Sequence, residues 1–374
     1  MDFNYSENQG MLADSLRRLM QAEYGFEQRR RIQGAQEGVH RATWLQLAEV
    51  GVLGLLIDAD SGGFGEGAES LLTVQRELGR SLMREPVIPS AVIATSMLQA
   101  SGSVAQKASW LSAMARGDFI ATPAYLEPHS RFDAAAVRTR AIREKDGYLM
   151  EGRKSLVWHA GDSDGLIVSA CMDTAPGLTL FLLPTSTPGV KLTSYPTMDG
   201  HRAADVELAG VRLPADAVLG SPGHGLQTLQ HGLDWGIAAL CAEGAGAMEK
   251  VIEDTADYLR TRRQFGVPLG SFQALQHRMA DMLVQKELAL SMAFVAVQAL
   301  SEEDEALRAR MLAAAKYNVA KAARFVGEQA IQLHGGMGMT RELPLGDYFK
   351  RLTMLDPLLG DADAQLARFS AAMT

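Results

Sequence analysis

Two segments toward the C-terminal end carry residue types that could grip a phosphate. The first, YLRTRRQFGVPLGSFQALQHRMADM from Tyr258 to Met282, sets Arg260, Arg262 and Arg263 just before Gln264, Phe265 and Gly266. Guanidinium forks match phosphate oxygens, and a glycine turn exposes backbone N–H groups beside them. The same pattern also suits a plain helix end, because basic side chains favour the last turn and glycine commonly stops a helix. The second segment, QLHGGMGMT from Gln332 to Thr340, places Gly335, Gly336 and Gly338 after a helix-like run ending near Leu333. Glycine lets the backbone approach a ligand closely, as a dinucleotide requires, although a helix stop accounts for it almost as well. This is no Rossmann fingerprint, since no strand pattern precedes it and no acidic residue follows at the expected distance.

The elements that must position these segments fall into three zones. Residues 1–117 read as a helical domain, opening with a capping box of Ser6 and Gln9 and broken by the glycine-rich DSGGFGEGAES from Asp60 to Ser70, then by Pro86 and Pro89. Residues 118–222 change to short apolar or alternating runs such as GLIVSAC, LTLFLLP, VKLTSYP and ADVELAGVRLP, bounded by turn residues, which predicts a β domain. Residues 223–374 return to helical spacing, with Phe272, Leu275, Met279 and Met282 predicting a continuous apolar face. Segregation of helices from strands makes the fold class α+β.

Composition excludes several functions. Lys and Arg total 36 against 44 for Asp and Glu, a formal charge of -8, so no basic excess exists to neutralise a nucleic-acid backbone. Cys171 and Cys241 are the two cysteines, without metal-ligand spacing, so neither a disulfide framework nor a metal site is expected and a reducing cytoplasm fits best. The opening MDFNYSENQG lacks a signal-peptide pattern, and no apolar run reaches bilayer length, so no membrane association is expected.

Taken together, the two C-terminal segments resemble the acyl-CoA dehydrogenase family, and the resemblance extends over nearly the whole chain. The family's arginine, Phe-Gly and following Phe-Gln match Arg262, Phe265, Gly266, Phe272 and Gln273, while its Gln-x-x-Gly-Gly-x-Gly matches Gln332 through Gly338. The resemblance implies an N-terminal helical domain, a middle β-barrel or β-sheet domain and a C-terminal four-helix bundle. It also implies FAD, an acyl-CoA substrate and electron-transfer flavoprotein as electron acceptor. Arg262, Phe265, Gln273, Gln332, Gly335 and Gly336 would contact an FAD held mainly by a neighbouring subunit, so an oligomer is implied as well. The ending KRLTMLDPLLGDADAQLARF and the opening MDFNYSENQ look most like the small-subunit branch of two-gene, pimeloyl-CoA-type dehydrogenases. That branch implies a heterotetramer acting on a medium-chain dicarboxylyl thioester, although similar heteromers oxidise steroid-derived or aromatic acyl-CoA esters.

The family's chemistry needs one carboxylate base to take the α-proton of the thioester while the β-hydride leaves to the flavin. Counted from Gly335 without a gap, the usual glutamate falls on Leu359, followed by Gly360 and Asp361. The alternative glutamate of some members falls on Gly236, with Ile237 after it. Asp361 is therefore the candidate base, with Asp234 behind it. The family's Thr-Glu-Pro-x-Ala-Gly-Ser-Asp appears as LEPHSRFD, retaining Glu127, Pro128 and Asp133 but placing Leu126 and Phe132 where hydroxyls would bond flavin and phosphate. Its Trp-Ile-Thr appears as Leu156, Val157 and Trp158, so Trp158 either packs on a flavin ring or belongs to the core. Three readings follow: a subunit of a heteromeric dehydrogenase, a self-sufficient homo-oligomeric flavoenzyme using Asp361, and a non-catalytic interaction protein on the same fold.

Overall fold

The computed structural model describes residues 6–34 and 38–373; Met1 to Tyr5 of the opening that carries the small-subunit likeness lie outside them. Helices come first: α1 (Glu7–Glu23), α2 (Phe26–Gly34), α3 (Arg41–Glu49), α4 (Ala68–Arg80), α5 (Thr95–Ser101), α6 (Val104–Gln106) and α7 (Ser112–Ala115). The Ser6 hydroxyl accepts from the Gln9 N–H while the Gln9 side chain accepts from the Ser6 N–H, so the capping box forms as the sequence predicts. Val87–Ala94 and Lys107–Leu111 wind as π-helix rather than α-helix. Pro89 lies inside the first of these, where its missing N–H removes a donor from the ordinary ladder.

Strands follow: β1 (Ala121–Ala124), β2 (Arg140–Glu144), β3 (Gly147–Trp158), β4 (Gly165–Met172), β5 (Ala175–Pro184), β6 (Val190–Pro196), β7 (Arg202–Pro214) and β8 (Val218–Leu219). They form one sheet in the order β6-β7-β3-β2-β4-β5-β8, with β1 paired parallel to β4. β4, GLIVSACM, is buried along nearly its whole length, which explains its apolar run without alternation. Met150, Leu166, Val168, Val206 and Val211 build the core, and Tyr148 meets Phe181 edge to face. The pairing of β3 with β7 slips between Lys154 and Val157, and Leu156 sits in that bulge at φ 54°, 61% exposed.

The remaining elements are α8 (Gly225–Thr261), the short hairpin β9 (Arg263–Gln264) and β10 (Val267–Pro268), α9 (Gln273–Ala299), α10 (Glu305–His334), α11 (Leu345–Met354) and α12 (Ala362–Ala371). Asp304 caps α10 by accepting from the N–H groups of Ala306 and Leu307. The region after Gly223 thus holds three long helices and two short ones. The predicted apolar face of α9 is buried only from Met282 onward; Leu275 and Met279 are half-buried and Phe272 is exposed. Among the described residues no helix is long and apolar enough to cross a membrane, and no group of three His, Cys, Asp or Glu is placed to hold a metal.

By its internal contacts the chain divides into two units. One comprises the residues up to Arg31, Ala68–Met83 and everything from Ile237; the other comprises Ile32–Gly67 and Arg84–Gly236. In the first unit α4 lies directly on α8: a Cβ on Gly79 would come within 2.1 Å of the Glu243 carbonyl oxygen, and one on Gly246 within 1.9 Å of that of Arg76. Ion pairs flank this contact, Arg76 with Glu249 and Arg80 with Glu253. A buried pair, Arg351 with Glu243 at 2.6 and 2.8 Å, ties α11 to α8.

Candidate cofactor-binding site

The two C-terminal motifs meet at the end of α8 and the end of α10. Tyr258 stacks on His334 with ring centroids 4.3 Å apart and planes at 25°, bridging the two helices. His334 is buried, and burial lowers its pKa against the opposing pull of a 2.9 Å hydrogen bond between Nδ1 and the Ala330 carbonyl. Neither Tyr258 nor His334 stands out in the sequence, because a contact across 76 residues has no local signal.

Around that stack the motif side chains face solvent. Arg262 follows α8, and its exposed guanidinium makes no hydrogen bond among the described residues. Phe265 forms the hairpin tip at φ 53° and is 89% exposed, with Gly266 next to it at φ 83°. Gln273 opens α9 and Gln332 lies on the last turn of α10, both exposed. Gly335 ends α10 at φ 58°, a backbone region that favours glycine. A Cβ on Gly335 or Gly336 would meet nothing within 4 Å, so packing does not demand a glycine at either position. Gly338 differs, because a Cβ there would crowd the Ile331 carbonyl at 2.8 Å. One free cation, two side-chain amides and an uncovered glycine backbone fit the phosphates and polar edges of a dinucleotide such as FAD approaching from outside the chain.

The β-domain positions lie in the other unit. Trp158 ends β3 half-buried, and its carbonyl accepts from the Thr122 hydroxyl at 2.8 Å. Leu126 accepts through its carbonyl from the Ser155 N–H, and Phe132 is partly exposed. Glu127 does structural work: its carboxylate accepts from the N–H groups of Arg138 and Thr139, from the Thr139 hydroxyl and from Lys154 Nζ at 2.7 Å. Lys154, fully buried, donates also to Ser169. Burial alone would raise the Glu127 pKa, but the Lys154 and Thr139 donors hold it below the usual carboxylate value.

At the expected base position Leu359 adopts φ 56° and Gly360 φ 100°. Asp361 stands at the N-cap of α12, its carboxylate accepting from the Ala364 N–H at 2.8 Å. Gly236 and Ile237 lie buried within α8. Asp234, 4% exposed, accepts from the Gln230 side chain at 2.8 Å. A cleft of about 440 Å³ elsewhere in the first unit is lined by Arg17, Arg76, Arg80 and Lys286. Each of these cations already pairs with a glutamate, so the cleft offers no free grip for a phosphate.

Comparison with known proteins identifies the family. Sequence models described as acyl-CoA dehydrogenase N-terminal, middle and C-terminal domains match residues 6–118, 123–211 and 223–374. The probable acyl-CoA dehydrogenase YngJ of Bacillus subtilis is 28% identical, the alignment covering 88% of each chain. The human mitochondrial short-chain specific acyl-CoA dehydrogenase is 28% identical, over 86% of this chain and 80% of its own. Among solved structures, a chain of the ChsE4-ChsE5 complex from Mycobacterium tuberculosis superposes with a TM-score of 0.90 at 26% identity, covering 100% of this chain and 99% of that one. With three family domains matched in order along almost its entire length, the chain belongs to the acyl-CoA dehydrogenase family, FAD-dependent oxidoreductases that act on CH–CH bonds.

Proposed function

We propose that this chain is one subunit type of a heteromeric acyl-CoA dehydrogenase. It lends Arg262, Phe265, Gln273, Gln332, Gly335 and Gly336 to an FAD whose ring and catalytic base reside on a partner chain. The supporting observation is the outward-facing, unpaired motif combined with Leu359 at the base position, a side chain that can accept no proton. FAD supplies the hydride acceptor of the α,β-desaturation. The residues of this chain position its pyrophosphate side, through the Arg262 charge, the two glutamine amides and the open backbone at Gly335 and Gly336. That one of the similar solved structures is a complex of two named chains accords with this reading. Leu126 and Phe132, in place of flavin-bonding hydroxyls, accord with a ring held elsewhere. The substrate is an acyl-CoA thioester, and electron-transfer flavoprotein the electron acceptor.

Coexpression with an adjacent acyl-CoA dehydrogenase gene should yield a yellow complex that oxidises an acyl-CoA. A colourless chain that never associates counts against the proposal.

The place of Asp361, two residues beyond the base position, favours a second reading in which the chain acts alone as a homo-oligomer. That reading requires the protein purified by itself to be yellow and Asp361→Asn to abolish substrate-dependent flavin bleaching. Full bleaching in the variant eliminates it.

A further inference from the structure

Lys316 lies in the middle of α10 and is 1% exposed. Its ammonium donates to three backbone carbonyls, those of Leu355 at 2.7 Å, Asp356 at 3.0 Å and Gly360 at 3.1 Å. All three belong to the link between α11 and α12, the segment that contains the base position. A lysine ammonium carries three protons, and here each has one acceptor. The rest of the link is tied just as closely. The Asp356 carboxylate accepts from the Ala362 N–H, the Gln365 side chain donates to the Leu359 carbonyl, and Asp361 accepts from the Ala364 N–H. Leu355 packs toward α8, where a Cβ on Gly244 would come within 2.8 Å of it.

We infer that Lys316 is the positioning residue of this link: it fixes the positive-φ backbone at Leu359 and Gly360 and thereby holds the Asp361 carboxylate at the start of α12. Two features require such a clamp. A leucine at φ 56° is strained and persists only where its surroundings over-determine it. Three carbonyl groups that turn inward need donors, because a buried acceptor left unmet is destabilising. The charged groups facing the ammonium are Asp356 and Asp361 from the link itself, and the thiol facing it is Cys241 from α8. Burial pulls the Lys316 pKa down to about 8, against the opposing attraction of those groups. Deprotonation leaves a two-proton amine beneath three carbonyls, so the hold on the link weakens from the mildly alkaline range upward.

This inference rests on the placement of the base position at Leu359 for its functional meaning, but the clamp is tested without turnover. Backbone amide hydrogen exchange on the whole chain, in its assembled form, reads the link through the amides of Ala362, Ala364 and Gln365. Lys316→Met is expected to speed their exchange about ten-fold or more while the amides of Ala320 to Ala323 in α10 change little. Equal acceleration in both places overturns the clamp, because it reports general loosening. Should the variant fail to fold, the wild-type protein decides. After correction for intrinsic exchange, link protection steps down between roughly pH 7 and pH 10 while α10 protection does not. Link protection that follows α10 throughout that range overturns the inference. Failure of the heteromer proposal would appear instead as a colourless, inactive coexpression product with these exchange patterns intact.

Discussion

At the residue scale, Asp361 caps α12, and one substitution separates that role from the base role of the second reading. Asparagine caps a helix about as well as aspartate but accepts no proton at neutral pH. Asp361→Asn should therefore leave the melting temperature within a degree or two, whereas Asp361→Ala should cost about 1 kcal/mol through loss of the cap. Thermal unfolding of both variants beside flavin bleaching then assigns any lost activity to chemistry rather than to a frayed α12. Glu127 gives the pH dependence. Its folded pKa lies below the ordinary glutamate value, so the unfolded chain binds the proton more readily in acid. The stability it contributes is complete above about pH 4.5 and is lost as pH falls through the lower folded value. Glu127→Gln removes that part of the acid slope. It also strands the buried Lys154 without its carboxylate, at a cost of about 3–5 kcal/mol at neutral pH. A denaturant titration at pH 7 and at pH 4 measures both effects, and an unchanged acid slope would refute the assignment.

At the element scale, the weight falls on helix contacts inside the first unit. Gly79→Ala or Gly246→Ala forces a methyl group against a backbone carbonyl, so α4 must move off α8. Each should destabilise by about 1–3 kcal/mol, read as a lower denaturant midpoint with little change in slope. Arg351→Met, which leaves Glu243 buried without its cation, should cost about 3–5 kcal/mol by the same measurement. Local patterns announced part of this architecture. The Ser6–Gln9 box and the strands around GLIVSAC and LTLFLLP were legible because capping and burial on both faces leave marks within a few residues. The β3 bulge at Leu156 was not, since slippage against β7 depends on a partner some fifty residues away. Lys316 was silent for a related reason. A lysine on an alanine-rich helix looks like a solvated charge until the carbonyls of a distant link fold over it. The α9 face misled in the opposite direction, because Phe272, Leu275 and Met279 have core-like spacing yet stay partly open in the single chain.

At the scale of the whole molecule, the proposal that the exposed C-terminal motifs serve an FAD on another chain makes a direct prediction. In a yellow coexpressed complex, Arg262→Ala should lower FAD occupancy several-fold, measured as flavin absorbance per protein after gel filtration, without dissociating the subunits. Unaltered occupancy would remove Arg262 from the cofactor site. Phe265→Ser, at the solvent-facing hairpin tip, should instead leave the isolated chain's melting temperature unchanged, since a side chain that exposed contributes little to the folded chain. The contact of α4 with α8 also bears on how the chain finds its fold. Arg76 and Arg80 recur one turn apart on α4, and Glu249 and Glu253 one turn apart on α8. Ladders of that kind attract strongly but discriminate poorly, and a slip of one turn would satisfy much of the same charge. Gly79 and Gly246 remove the ambiguity, because only one alignment brings each bare backbone against its neighbour. During folding, the charges would speed the meeting of the helices, and the two missing methyl groups would select the correct mate among its near-copies.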